Sequence, residues 1–426
     1  MPRTHTSAAI LGIGDELILG QTLDTNSQWI ASALADLGIL VREIATLPDR
    51  LDQIRSRILQ WSDSFDLVII TGGLGPTQDD LTRQALAEAL DQPLITDEGA
   101  LAEIRSRFQS ANMDMPESNA IQACHPKSAK LLPNSLGTAP GLHAERHDAD
   151  IFCLPGPPNE MHPMFTEHVM PILHPSRLVM TRLVRTVGIT ESAVADRLGD
   201  LMDRNRNPLV GTTASTSSIT CRIRYEGQSQ ALGERLLDET LDDIRTALGP
   251  YIFAVGAQTL PGVVVDLLRH NAMRLATVES CTGGLIAKLI TDIPGSSDVF
   301  IGGWTTYTNT FKSSQVGVDP KVIAEHGAVS EQCCRQMAEG GLGASNADSA
   351  LAITGIAGPG GGSPDKPVGT VWIGLARTGT PTQTRLFRFI GDRDAIRQRA
   401  AMTALAMLRL SLIEAPPSPL ACEITG

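Results

Sequence analysis

Two stretches decide the fold: Asp66-Leu-Val-Ile-Ile-Thr-Gly-Gly-Leu-Gly-Pro-Thr77 and Asp348-Ser-Ala-Leu-Ala-Ile-Thr-Gly-Ile-Ala-Gly-Pro359. Each is a short apolar run ending in Thr-Gly-x-x-Gly-Pro. A continuous apolar run bounded by glycines reads as a strand buried on both faces, as in a helix-covered parallel sheet. The glycines at its end let backbone N–H groups approach a phosphate. So short a match does not establish common descent of the two halves.

Outward from the first stretch, the chain alternates strand and helix. Ala8–Gly12 is a strand, and Asp24 or Thr25 caps a helix showing Trp29, Ile30, Leu34 and Leu37 on one face. That helix stops near Gly38, Ile39–Ile44 is a second strand, and Ile54, Ile58 and Trp61 mark the next helix. The alternation predicts a parallel sheet with ligands at the carboxyl ends of its strands. Beyond Pro171–Pro175 a β-α-β-β-α-β order follows, with strands 183–187, 209–214, 219–225 and 251–255 and helices 191–202 and 230–248. This segment lacks the Gly-x-x-Gly loop of a KH-type RNA clamp and reads as a spacer or dimerisation domain. From Leu260 the alternation resumes, ending in a helix from Asp394 to about Leu412 that is apolar over much of its circumference. The expected plan is α/β throughout: 1–172, a small α+β domain at 173–258, a three-layer domain at 259–413, and a flexible Pro-rich tail at 414–426.

Composition narrows the function. At 426 residues the chain exceeds one ordinary core, and 42% hydrophobic with 19% charged residues is globular. Formal charge is −12 and aromatics are 4%, a poor basis for phosphate neutralisation or base stacking, so no nucleic-acid partner is expected. No apolar run is long enough to cross a bilayer, and Met1–Ser7 is polar, which argues against secretion. Seven cysteines without a Cys-x-x-Cys pair fit a reducing cytoplasm.

Two clusters carry chemistry. In the first domain, Gly14-Asp15-Glu16, Thr71–Thr77, Asp79-Asp80, Gly137–Gly141 and Leu154–Glu160 all follow predicted strands. Glycine loops at helix N-termini suit a pyrophosphate, and adjacent carboxylates suit a hard divalent ion. Any single loop is better explained by tight turns and capping; their number favours a ligand site. In the last domain, Glu279-Ser-Cys-Thr-Gly-Gly284 turns a strand into a helix and places Ser280 beside helix N–H groups that could meet an oxyanion. Lys312 could serve as a base if burial lowers its pKa, and Cys281 is an alternative nucleophile. Taken alone, these residues are better read as a Ser N-cap, a buried Cys and a solvated Lys.

The motifs resemble a known family. Gly14-Asp-Glu, Asp24-Thr-Asn26, Thr71-Gly-Gly-Leu-Gly-Pro-Thr-x-Asp-Asp80 and Gly137-Thr-Ala-Pro-Gly look like the N-terminal, MoaB/MogA-like molybdopterin-binding-type domain of CinA proteins. Glu279–Gly284, Pro294-Gly-Ser-Ser297, Gly302-Gly303, Tyr307, Lys312, His326–Ser330, Ile353–Pro359 and Lys366–Val371 look like the CinA C-terminal domain. The resemblance implies nicotinamide mononucleotide deamidase activity in the last domain, with Ser280 as nucleophile, Lys312 as general base, and Tyr307 and Thr354 orienting the pair. Gly283, Gly284, Gly355 and Gly358 would face the nucleotide. In the first domain it implies a metal-dependent ADP-ribose pyrophosphatase. There Gly14, Asp15, Glu16, Asn26, Gly72, Gly73, Gly75, Thr77 and Gly137 would hold substrate, and Asp79 and Asp80 a divalent Mg, Mn or Co ion. It also implies a homodimer, and no metal for the amidase. One departure is local: Leu47-Pro-Asp49 stands where the family has Val-Gly-Asp, and Pro48 removes a backbone donor. Two other functions fit the same residues, a nucleotide- or pterin-binding interaction protein linked to competence, and a molybdopterin adenylyltransferase-like first domain.

Overall fold

The computed structural model describes residues 3–424. It divides into two compact units, one holding residues 1–180 with 226–231, the other 181–225 with 232–426.

The first unit is built on a six-stranded sheet in the spatial order Leu40–Leu47, Ser7–Ile13, Leu67–Thr71, Ala149–Leu154, Gly141–Arg146, Lys130–Leu132. The first four strands run parallel. Gly141–Arg146 is antiparallel to both of its neighbours, so the expectation of a parallel sheet holds for its larger part only. The reversal comes from a two-residue turn at His147-Asp148, where Arg146 pairs with Ala149 and His147 takes a φ of 52°. All five residues of Leu67–Thr71 are buried, the burial its uninterrupted apolar run predicts. Helix Thr25–Leu37 begins where the Asp24 carboxylate accepts the Ser27 N–H at 2.9 Å and ends at Gly38 with a φ of 86°. Its Ile30 and Leu34 pack on Ala8, Ile10 and Ile69 of the sheet.

In the second unit, the middle segment forms a four-stranded sheet ordered Leu209–Ala214, Ser218–Gly227, Leu178–Val187, Ile252–Val255, with helices Glu191–Leu198 and Gln230–Leu248. Val187, Phe253 and Ala254 belong to the same core as Leu260, Val264 and Leu405, so this sheet and the last domain share one hydrophobic interior. The last domain carries a five-stranded sheet ordered Phe300–Thr305, Leu275–Glu279, Ser349–Gly355, Thr370–Arg377, Thr380–Arg388. Its first three strands are parallel and the other two antiparallel. Helix Arg393–Leu412 buries Ile396, Ala400, Ala404, Leu405 and Leu408, as its apolar circumference requires.

Part of the Pro-rich tail expected to be flexible, Leu420–Ile424, packs against the last domain. Leu420 is 4% exposed and fills space that a side chain on Gly188 would occupy. The Arg388 N–H donates to Cys422 O at 2.9 Å, the Ile424 N–H to Leu386 O at 2.9 Å, and Arg385 pairs with Glu423 at 2.8 Å. Strand Thr380–Arg388 ends its sheet and offers unpaired backbone groups, which the tail satisfies.

Candidate functional site

Strand Leu275–Glu279 delivers its end to the centre of the last sheet, and the loop Ser280–Gly284 wraps there through left-handed Gly283 and Gly284. Buried Glu279 accepts the N–H groups of Ile286 at 3.0 Å and Ala287 at 2.9 Å. A carboxylate therefore occupies the helix N-terminus that the sequence offered to an oxyanion, a correction to that reading. The Ser280 N–H is likewise engaged, by Ile353 O at 2.9 Å.

Lys312 reaches the same place from helix Asn309–Val316, whose start the Thr308 side chain caps. Its side chain is 1% exposed. Nζ donates to Thr306 O at 2.8 Å and lies 3.1 Å from Ser280 Oγ. Burial pushes the Lys312 pKa down. A lysine driven toward its neutral form, in contact with a serine hydroxyl, is the geometry of a nucleophile and its base. Cys281 stands next in the chain, but burial pushes its thiol up to about 12, so it carries no thiolate near neutral pH.

The structure does not join the other expected catalytic residues to this pair by hydrogen bonds. Tyr307 is 59% exposed and its hydroxyl accepts from Arg393 at 3.0 Å, while the Thr354 hydroxyl donates to Ala328 O at 2.8 Å. Gly355 is explained by packing, since a Cβ there would lie 2.7 Å from Val371. Two arginines escaped the sequence reading. Arg393 donates to Gly358 O at 2.7 Å and Arg397 to Thr282 O at 2.8 Å, so helix Arg393–Leu412 sets two cations beside the serine loop and the glycine loop. Their one local signal is Arg393 in the first turn of a helix, where a cation opposes the dipole.

In the first unit the strand ends enclose a cavity of about 340 Å³ lined by Gly14, Glu16, Gly72, Gly73, Gly75, Thr77, Asp79 and Asp80, and also by Asp49, Gln122, Thr138 and Glu160. Gly72 has a φ of 100°, and a Cβ there would sit 2.3 Å from Ile13 O, so two strand ends meet only because the residue is glycine. Asp80 does not stand free for a metal. Its carboxylate accepts the Gly75 N–H at 2.7 Å and the Thr77 N–H at 2.8 Å. The same bonds turn the Gly75 and Thr77 donors away from the phosphate role expected of them. Asp79 is exposed, and the Thr77 hydroxyl holds its carboxyl below the ordinary range. Asn26 is also internal: its amide donates to Thr71 Oγ1 at 2.9 Å and Gly156 O at 2.7 Å. Gly137 makes room for Glu160, whose Oε2 would lie 1.9 Å from a Cβ there.

Asp49, beside the unusual Pro48, is delivered to the cavity all the same. The Asp15 N–H donates to its carboxylate at 2.9 Å, and its own N–H returns to Asp15 Oδ1 at 3.3 Å. Partial burial raises its pKa, and the charges of Asp15, Glu16 and Asp79 add to the rise. Beneath the glycine loop lies Arg83, 1% exposed and bound to Leu74 O at 2.9 Å.

A separate cluster, His143, Glu145 and Asp150, brings ligand-type atoms within 4.8 Å of one another. There Asp150 accepts from His5 at 3.0 Å, His143 at 2.6 Å and Arg3 at 3.1 Å, and Arg3 also reaches Glu145. The guanidinium stands where a cation would, and the cluster clasps the first residues to the 141–154 hairpin.

Fold and sites together define a chain with a nucleotide-type α/β domain at each end. Comparison with known proteins makes this specific. Residues 9–175 match the probable molybdopterin binding domain, 181–254 the damage-inducible protein CinA KH domain, and 257–412 the CinA C-terminal domain. A protein of Caldicellulosiruptor bescii described as "Putative competence-damage inducible protein" is 42% identical over 409 residues, 96% of this chain and 99% of that one. A CinA-like protein of Dictyoglomus thermophilum is 38% identical over 406 residues, 95% of this chain and 98% of its own. The crystal structure of competence/damage inducible protein CihA from Agrobacterium tumefaciens is 41% identical over 36% of this chain and 93% of that one, with a TM-score of 0.35. The chain belongs to the CinA family. Its middle domain is KH-like in fold, an identity that the missing Gly-x-x-Gly loop had hidden. No helix among the described residues is long and apolar enough to cross a membrane.

Proposed function

We propose that the last domain hydrolyses the carboxamide of nicotinamide mononucleotide to the acid and ammonia. The observation that carries this reading is the 3.1 Å contact between Lys312 Nζ and Ser280 Oγ, made by a buried lysine whose pKa burial lowers. Neutral Lys312 takes the Ser280 proton as Oγ attacks the carboxamide carbon. The lysine then returns that proton to the departing nitrogen, the C–N bond breaks, and ammonia leaves an ester on Ser280. Water, deprotonated by the same lysine, cleaves the ester and restores the serine. With Glu279 on the helix N-terminus and the Gly283 N–H donated to Ser280 O at 3.1 Å, the oxyanion would be met by the N–H groups of Cys281, Thr282 and Gly284. Arg393 and Arg397 supply the positive charge that the nucleotide phosphate requires. Conversion of nicotinamide mononucleotide to its acid by the full chain, followed chromatographically with and without chelator, tests this. Conversion insensitive to chelator is expected, and none at all defeats the reading.

The first domain, on the same proposal, cleaves the pyrophosphate of ADP-ribose. Its donor set fits a hard divalent ion: Glu16, Asp49, Asp79 and Glu160 line one cavity, and the repulsion of Asp49 by Glu16 and Asp79 would be relieved by a cation. Bound there, Mg, Mn or Co would neutralise phosphate charge and lower the pKa of an attacking water. AMP release from ADP-ribose that needs added metal and is lost in Asp49→Asn and Glu160→Gln is the expected result. Metal-independent release, or none, removes this half of the proposal.

A further inference from the structure

The hairpin joining strands Leu209–Ala214 and Ser218–Gly227 belongs to the KH-like domain, yet its tip meets the helix that carries Arg393 and Arg397. Arg399 Nε donates to Thr216 O at 3.1 Å. A second nitrogen of the same guanidinium donates to Ile390 O, in the segment that leads into the helix. Two residues on, the Asp392 carboxylate caps that helix through the Ala395 N–H at 2.9 Å, and the next residue is Arg393. One side chain thus ties the hairpin to the turn that sets the helix start.

The hairpin is itself held in place. Ser215 and Ser218 close its tip, the Ser215 N–H donating to Ser218 O at 2.9 Å. The sheet behind it shares its core with the last domain, and Arg409 secures the opposite end of the helix by donating to Pro250 O at 2.7 Å and to Ile252 O. The helix is therefore braced at both ends by the middle domain. Arg393 is solvent-exposed and, among the described residues, is held by hydrogen bonds to Gly358 O and the Tyr307 hydroxyl, so its position depends on where its helix begins.

We propose that the KH-like domain tunes the amidase site for the phosphate end of its nucleotide, with Arg399 as the positioning residue that fixes Arg393. The inference rests on the amidase reading above. It gives the middle domain a role inside the catalytic unit in place of a spacer's.

The test uses the full chain, Arg399→Ala and Arg399→Lys, with nicotinamide mononucleotide and with the phosphate-free nicotinamide riboside. Loss of one or two hydrogen bonds predicts a KM for the mononucleotide raised roughly two- to tenfold in Arg399→Ala, with kcat little changed. Turnover of the riboside should not differ between variant and parent. Arg399→Lys should behave like Arg399→Ala, because it keeps the charge and loses the fork; a parental KM in that variant overturns the brace in favour of simple charge attraction. An unchanged KM in Arg399→Ala, or an equal loss on the riboside, also overturns it. Hydrogen exchange of residues 389–396 needs no activity: faster exchange in both variants is expected, and unchanged exchange refutes the brace even if the chain proves not to be an amidase.

Discussion

Replacing Lys312 by Met separates the lysine's chemistry from its cost to the fold. The side chain is 1% exposed, and burial lowers its pKa below the ordinary 10.5. Between that lowered value and 10.5 the unfolded chain binds a proton that the folded chain does not. Stability of the parent must therefore rise with pH across this window, with a slope of up to about 1.4 kcal/mol per pH unit. Below the window the full burial penalty is present; above it the penalty is gone. Met nearly matches the length of Lys and carries no titrating group, so the stability difference between Lys312→Met and parent should shift in the parent's favour as pH rises toward 10.5. A constant offset of about 1–3 kcal/mol is expected against the variant, because Thr306 O loses its donor. Urea unfolding from neutral pH to pH 10.5 reads the slope, and ammonia release from nicotinamide mononucleotide reads the chemistry, with a loss of roughly 10²–10⁴-fold expected. A pH-independent stability difference, or undiminished release, would refute the reasoning.

Three other outcomes follow from the same structure. Cys281→Ala should retain ammonia release and iodoacetamide at neutral pH should leave Cys281 unmodified, since its thiol is pushed up to about 12; inactivation by either treatment would contradict this. Asp80→Ala should cost the first unit about 1.5–3 kcal/mol by releasing the Gly75 and Thr77 N–H groups, seen as a lower unfolding midpoint with amidase activity intact. Truncation after Ala415 removes buried Leu420 and should destabilise the second unit by at least about 1.5–3 kcal/mol; an unchanged midpoint would restore the tail to the flexible segment its composition suggested.

The architecture was largely legible in the sequence, because apolar strands ending in glycine loops and helices with marked starts and stops are local signals. Asp24, Gly38 and the run Leu67–Thr71 each act as their residue types require. The antiparallel 141–154 hairpin was not legible: its turn is His147-Asp148, with no glycine to announce it. The packing of the tail was not legible because Pro-rich composition says nothing of the open sheet edge at Leu386–Arg388 that Cys422 and Ile424 meet. At the sites, Ser280 and Lys312 were found by motif and meet in space, whereas the catalytic roles expected of Tyr307 and Thr354 gain no hydrogen bond to the pair. Arg393, Asp49 and Glu160 were not legible as site residues because each depends on tertiary approach from a distant element. Asp80 shows the converse: an acidic pair looks like a metal ligand in sequence, and only the folded loop reveals that it serves backbone donors.

Amide hydrolysis by this chain turns on Ser280, activated by Lys312, as the proposed nucleophile on the carboxamide. The most direct measurement is ammonia release from nicotinamide mononucleotide by the purified chain beside Ser280→Ala, with circular dichroism confirming that both are folded. Release by the parent and none above background by Ser280→Ala is the predicted result. Equal release from both, or no release from a folded parent, would contradict it.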